Sequence, residues 1–250
     1  MEVSETEAII LSCKDHGESD RLVLCYSEHA GKLKGIAKGA RRSKKRFVHT
    51  FEPCSLVRVS YRTRKGWVWI EACALLEPHL GLRVDLKRWG YAALISEIMI
   101  EMVPDGESQP DLFSLLKETF SQLALSVDPL NIVLLFLLRF RHIMGYLPSL
   151  ERCEVCHRPL KSANYWWWQV SHGMLVCSEH HQPDANRLRL DLGTLVLIDQ
   201  ARCLSLTKIW RLRISQHRKT PLLNALLDWI REHIKKDLRS LRLLEQLQSA

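Results

Sequence analysis

The period of the apolar residues changes once along this chain, near Pro78, and that change restricts the fold more than any other feature. Before it, apolar residues gather in short β-rich stretches at 8–11, 22–26, 32–37, 56–61 and 67–70, divided by turn signals at His16-Gly17, His29-Ala30-Gly31 and Lys65-Gly66. After it, the pattern is helical. Residues 86–103 carry Trp89, Ala93, Ile95, Ile98 and Met99 as apolar positions, and Pro104-Asp105-Gly106 stops that helix. Helical patterns continue at 111–125, 128–145, 190–202 and 221–236, interrupted at about 151–186.

Five strands in roughly seventy residues would expose their edges as an open sheet, and closing them into a barrel removes those edges. The oligonucleotide-binding (OB) barrel is the commonest five-stranded solution. The expected fold is therefore α+β: an N-terminal five-stranded OB-fold β-barrel over 1–80, then a helical domain over 81–250 with an insertion at about 151–186, which its cysteine spacing assigns as a zinc finger.

Bulk properties narrow the class further. At 46% apolar and 26% charged, the 250 residues match an ordinary globular protein, which excludes disordered and fibrous classes. A net charge of +8 suits a polyanionic partner. The longest apolar run, 130–138, ends at Arg139, far short of the ~20 residues that span a bilayer, so no membrane partner is expected. The start, Met1-Glu2-Val3-Ser4-Glu5, is acidic and lacks the apolar core of a secretory signal, so the protein is expected in the cytoplasm. Its eight cysteines should then be reduced, and the scattered ones, Cys13, Cys25, Cys54, Cys73 and Cys203, are expected in the core.

Three cysteines fall into a different pattern. Cys153 and Cys156 are separated by two residues, twenty residues follow, and Cys177 and His180 repeat the two-residue spacing. Each tight turn brings two ligands to one side of an ion, which is what one tetrahedral, structural Zn2+ per chain requires. Cys153, Cys156 and Cys177 are the expected thiolate ligands and His180 the fourth, with His157, His172 and His181 as the neighbouring alternatives. Four protein ligands leave no open position for catalysis, and the deaminase signature is missing because Arg152, not proline, precedes Cys153.

The second constellation is cationic. Lys32, Lys34, Lys38, Arg41, Arg42, Lys44, Lys45 and Arg46 run with no acidic residue between Lys32 and Phe47, with Gly35, Gly39 and Ala40 interleaved so that backbone can approach a phosphate chain. They are the expected DNA-binding residues, with Arg21 on a neighbouring strand and Arg58, Arg62, Arg64 and Lys65 available to extend the surface. Phe47, Phe51, Tyr61, Trp67 and Trp69 are each either core or base-stacking residues. Tyr165-Trp166-Trp167-Trp168 is expected to pack over the metal knuckles, and a further cationic group, including Lys208, Arg211, Arg213, Arg218 and Lys219, marks the C-terminal half.

Taken in order, the segments Gly17-Glu18-Ser19-Asp20-Arg21-Leu22, Gly31-Lys32-Leu33, Ala37 to Lys44, Gly145-Tyr146-Leu147-Pro148 before the first cysteine pair, and Leu238-Arg239-Ser240-Leu241-Arg242 resemble the bacterial RecO family of recombination mediators over essentially the whole chain. The resemblance implies no enzymatic turnover. It implies binding of single- and double-stranded DNA, annealing of complementary strands, and association with RecR to help load RecA onto strands coated by single-stranded-DNA-binding protein. Family members with zinc mostly carry a cysteine where this chain has His180, and His157 replaces a glycine common after the first knuckle. The acidic, apolar-tipped tail of the single-strand-binding protein needs an apolar groove edged by cations, for which Leu135, Arg139 and Arg141 on the third helix are the candidates. A peptide-binding adaptor with a structural zinc site and a zinc-dependent nucleic-acid enzyme are the rival functions.

Overall fold

The computed structural model describes residues 3–170, 172–181 and 187–249. Five strands come first: β1 (Ser4–His16), β2 (Asp20–Ser27), β3 (Gly31–Ala37), β4 (Leu56–Arg64) and β5 (Trp67–Glu77). They close in the order β1-β2-β3-β5-β4, with β4 returning to β1. All pairs are antiparallel except β3 with β5, where Gly35, Ile36 and Ala37 lie beside Val68, Trp69 and Ile70. This is the OB arrangement expected from the strand count. Alternation along the strands sends Ala8, Ile10, Val23, Cys25, Val57 and Val59 inward, each almost fully buried. Burial pushes the thiols of Cys25 and Cys73 up to about 12 and that of Cys54 up to about 11, so these three are inert core groups. Cys13 is half-buried against the barrel core, whereas Cys203 is exposed, which corrects its assignment to the core.

Helices follow: α1 (Leu86–Met102), α2 (Pro110–Leu125), α3 (Pro129–Ile143), α4 (Leu192–Cys203), the short α5 (Leu206–Ile209), α6 (Gln216–Ile234) and α7 (Arg239–Ser249). A three-stranded sheet, in the order β7-β6-β8, lies between α3 and α4 in sequence and consists of β6 (Tyr165–Gln169), β7 (Met174–Val176) and β8 (Arg187–Asp191). Two helical expectations shift at their starts. Leu190 and Asp191 belong to β8, and Asp191 then caps α4 by accepting from the Thr194 backbone N–H at 2.7 Å. The last expected helix starts at Gln216 and takes Pro221 into its interior. Residues 182–186, the end of the expected insertion, lie outside the described residues.

By packing, the chain forms two compact units, Met1–Ser126 with Leu238–Ala250, and Val127–Asp237. In the first, the barrel is joined to α1 through Lys32. Its ammonium donates to the carbonyls of Ile100 at 2.8 Å and Val103 at 2.6 Å, and pairs with Asp105 at 3.0 Å. Helix α1 has no basic residue in its own last turn, so Lys32 supplies the positive charge that the carbonyl end favours. The adjoining Gly31 adopts φ 63°, and a Cβ there would lie 2.1 Å from the Glu107 carbonyl oxygen. Only glycine fits that approach. Helix α7 returns to α1, where the Glu97 carboxylate accepts from the backbone N–H groups of Arg239 and Ser240, both at 2.9 Å. This cap satisfies donors that the first turn of a helix leaves unpaired.

In the second unit, the middle of α3 is apolar all round. Residues 132–138 are each at most 4% exposed, the mark of a helix surrounded by protein. Among the described residues no helix is long and apolar enough to cross a membrane.

The Lys32 contact yields a test of its role. Lys32→Ala leaves helix-end carbonyls and Asp105 without their donor and should cost about 2 kcal/mol in urea unfolding. Lys34→Ala, on the exposed face of the same strand, should change stability by less than about 0.5 kcal/mol. Equal effects of the two would show that the buried ammonium contributes no more than a surface charge.

Candidate functional site

The segment from Lys38 to Ser55 connects β3 to β4. Its apolar residues point inward: Ala40, Phe47 and Phe51 belong to the barrel core, and the two phenyl rings meet at 5.3 Å. Its backbone is pinned at three places. Gly39 N–H donates to the Asp20 carboxylate at 2.8 Å, Arg41 N–H to the Ser19 carbonyl at 3.0 Å, and the Arg46 carbonyl accepts from Cys73 N–H at 2.9 Å. The Gly39 bond, with that from the Ser19 hydroxyl, holds the Asp20 carboxyl below its usual range. With backbone and aromatics anchored, the cations have only the solvent side left.

Lys34, Lys38, Arg41, Arg42, Lys44, Lys45 and Arg46 are all exposed. Among the described residues, no carboxylate lies within ion-pair distance of Lys34, Lys38, Arg42, Lys44, Lys45 or Arg46. Arg21 and Arg41 share one acid, Asp15, at 3.6 and 3.5 Å. Lys32 is the exception in the run, since its ammonium is committed to α1 and turned away from this surface. Arg46 lies along the barrel wall, donating to the carbonyls of Lys38 at 3.0 Å and Glu71 at 3.3 Å. It borders a groove of about 820 Å³ on the outer face of β3, β4 and β5 that also includes Lys38, Arg62, Arg64, Trp67 and Trp69. Phe47 and Phe51 are core residues and Tyr61 packs partly against the core, so of the barrel aromatics weighed from sequence only Trp67 and Trp69 reach this face.

The second site is the metal-ligand cluster. Cys153, Cys156, Cys177 and His180 place one ligand atom each within 4.8 Å of one another, and together they could hold a metal ion. Cys156 and Cys177 Sγ are 3.8 Å apart, and His180 Nδ1 lies 3.2 Å from Cys177 Sγ and 3.9 Å from Cys153 Sγ. A tetrahedral ion with metal–sulfur bonds of about 2.3 Å needs sulfurs about 3.8 Å apart and sulfur–nitrogen edges near 3.6 Å, so the donor set fits. Both knuckles are tight turns closed by backbone bonds, His157 N–H to the Cys153 carbonyl at 2.9 Å and His180 N–H to the Cys177 carbonyl at 3.1 Å. His157 takes the left-handed conformation, φ 57°, at the place where glycine would be at ease. Burial would push the Cys153 thiol up, but backbone N–H groups of Cys156, Cys177 and Val155 aimed at its sulfur prevail and hold it at about 6. The Arg158–Glu179 ion pair at 2.8 Å ties one knuckle to the other.

The four aromatic residues of β6 divide by alternation. Trp166 and Trp168 are buried, while Tyr165 and Trp167 face outward, Tyr165 under the Arg189 guanidinium at 3.7 Å and Trp167 stacked on His181 at 3.7 Å. His181 is thereby engaged with an aromatic ring, and among the described histidines only His180 joins the three thiols.

The proposed peptide groove on α3 is corrected by the packing. Leu135 is fully buried, Arg139 donates to the carbonyls of Ala201 and Arg202, and Arg141 is fully buried. The Arg141 guanidinium lies 5.0 Å from the Trp168 ring and 4.4 Å from that of Trp229 and donates to the carbonyls of Tyr146 and Val170. Burial pulls it down to about 9. The three residues expected to line the groove are therefore not open to a peptide: Leu135 and Arg141 are in the core, and Arg139 serves carbonyls of its own unit. The C-terminal cations are partly committed as well: Arg218 pairs with Asp191, and Lys219, 5% exposed, pairs with Asp128.

An OB-type barrel with a cation-rich outer face, followed by a helical body that carries a Cys3His cluster, defines a two-part α+β protein. Known proteins sharpen this. The family model described as recombination protein O N terminal matches residues 1–79, and that described as recombination protein O C terminal matches residues 83–242. The chain is 57% identical over 249 residues to the DNA repair protein RecO of Syntrophobacter fumaroxidans, covering 100% of both chains. It is 29% identical to that of Geobacter metallireducens, covering 99% of each, and 27% identical to that of Syntrophus aciditrophicus, covering 98% of this chain and 96% of the other. The chain belongs to the RecO family.

Arg141 gives the site's clearest stability test. Arg141→Met keeps the apolar stem but leaves the Tyr146 and Val170 carbonyls unpaired, and should cost about 2–4 kcal/mol. Thermal or urea unfolding indistinguishable from the parent would show that the guanidinium only fills space.

Proposed function

We propose that the chain is a non-catalytic DNA-binding recombination mediator in DNA repair. It binds single- and double-stranded DNA, brings complementary strands together, and, with RecR, helps load RecA onto strands coated by single-stranded-DNA-binding protein, acting in the cytoplasm at the nucleoid. One observation carries the DNA-binding part: a loop whose backbone is pinned to the barrel presents exposed cations with no carboxylate partner. Such charges repel one another until a polyanion neutralises them. Family membership supports the repair role and the protein partners.

The physics of the loop supports annealing. Contacts to phosphates position a strand without reading its sequence and leave base edges free to pair. A cationic surface that screens two backbones also lowers their mutual repulsion. Lys38, Arg42, Lys44, Lys45 and Arg46 are the proposed phosphate contacts, with Lys34 beside them on β3 and with Arg21 and Arg41 contributing less because Asp15 partly offsets them.

The metal is proposed to be one structural Zn2+ held by Cys153, Cys156, Cys177 and His180. When bound, it cross-links the two knuckles and leaves no ligand position open for a substrate. The surrounding residues already preorganise it: backbone N–H groups favour the Cys153 thiolate, and the Arg158–Glu179 pair fixes the distance between the turns.

The charge reading is tested by a salt series. Replacing Lys38, Arg42, Lys44 and Lys45 with Ala should reduce the slope of log affinity against log salt by about 3 on single strands, because each neutralised phosphate contributes about 0.7. Stability should stay near that of the parent, and a folded variant with the parent's slope would assign the activity to another surface. For the metal, protein purified without chelator should contain one zinc per chain by elemental analysis. Chelation should raise hydrogen exchange in 151–181 while leaving the barrel amides protected. Metal-free protein with a protected insertion would refute the assignment.

A further inference from the structure

The groove on the outer face of β3, β4 and β5 contains more than charge. Trp67 is 61% exposed, and among the described residues no ring or cation stacks on it. An indole this exposed, set among cations, presents an uncovered flat apolar face to any ligand held by those charges. The strand register explains the setting. Arg64 is the cross-strand partner of Trp67, and Arg62 of Trp69, so each indole has a guanidinium beside it on the same face. Trp69 is half-buried, and Lys38 Nζ sits 4.7 Å from its ring centroid, which engages one face of that ring with a cation. Among the described residues, the only ion pair of these groove cations is Arg62 with Glu71, at 3.9 Å.

A ligand that satisfies this surface must be a flexible polyanion carrying flat, apolar faces. A single nucleic-acid strand has both. In a duplex the base faces are stacked on one another and only phosphates and groove edges are offered. An acidic peptide supplies charge but no regular series of ring faces. We propose that Trp67 is a base-stacking platform that makes this groove selective for unpaired strands, with Lys38 and Arg64 holding the neighbouring phosphates. The inference rests on the DNA-binding reading and adds to it a division of labour: the loop cations bind any phosphate backbone, and Trp67 recognises that the strand is open.

Fluorescence anisotropy of the full-length, metal-loaded protein tests this with four labelled probes: an oligothymidine strand, an abasic strand of the same length, a duplex and an acidic peptide. Trp67→Ala should weaken the oligothymidine strand about tenfold, the range expected for loss of one stacked base. Trp67→Phe should retain affinity to within about threefold, and the abasic strand and the duplex should change by less than about twofold in either variant. Equal losses on thymidine and abasic strands would overturn the proposal, because Trp67 would then only shape the cationic surface. Unchanged thymidine affinity would also overturn it, as would tighter binding of the acidic peptide than of the strand. Parent protein that binds none of the nucleic acids at low salt would instead overturn the DNA-binding reading itself.

Discussion

A single buried ammonium sets the arrangement of the N-terminal unit. Lys32 lies at the start of β3, yet it serves the carbonyl end of α1 and the carboxylate of Asp105, and so joins a barrel hairpin to the helix that follows the barrel. The contact recruits its surroundings. Gly106 N–H donates back to the Lys32 carbonyl at 3.4 Å, the Ser108 hydroxyl donates to the Glu28 carbonyl at 2.6 Å, and Gly31 lets the Glu107 backbone close in. With α1 fixed in this way, Glu97 is placed to cap α7, and Gly90 gives Leu244 of α7 room that a Cβ would remove, at 2.6 Å. Lys32 thus links the barrel to α1, and α1 in turn carries the carboxylate that caps α7.

The same principle divides the cations of the whole chain into two kinds. Where a helix end, strand end or carboxylate of the same unit lies within reach, the cation is structural, as for Lys32, Arg139, Arg141, Arg218 and Lys219. Where the backbone is already satisfied by its own hydrogen bonds, as in the loop after β3, the cations stay exposed, and among the described residues Arg42, Lys44 and Lys45 meet no carboxylate. Arg141 shows the cost of the first kind. Its charge is kept in the interior only because two carbonyls and two indole faces replace the water it gave up. The exposed kind costs little to fold and retains its field for a ligand.

The metal cluster follows a third logic, in which local geometry suffices. A knuckle needs only a turn with two sulfur or nitrogen ligands at its rim, and Cys153 to Cys156 and Cys177 to His180 each close one by a backbone bond. What tertiary structure adds is their meeting. Glu154 N–H donates to the Leu175 carbonyl at 2.9 Å, and the register of β6 with β7 places Trp167 beside Val176, next to the second knuckle.

The sequence by itself determined the features that depend on near neighbours. Short β-rich segments between turn signals marked all five barrel strands, and the two-residue spacing marked all four residues of the candidate metal cluster, because a strand and a ligand turn are each built from residues close along the chain. The OB topology was reachable from strand count, since five short strands have few ways to remove their edges. Which cations would meet solvent was not legible. Lys32 and Lys34 differ by two positions on one strand and have opposite fates, and Arg141 reads in sequence like any surface arginine on a helix. Only the fold decided these, because a charge goes inward when long-range neighbours offer it carbonyls, and those neighbours stand 68, 71 and 29 residues away. Trp67 falls between the two cases: alternation put it on a face, but the parallel seam of β3 with β5 decided that this face is an open cationic groove rather than core.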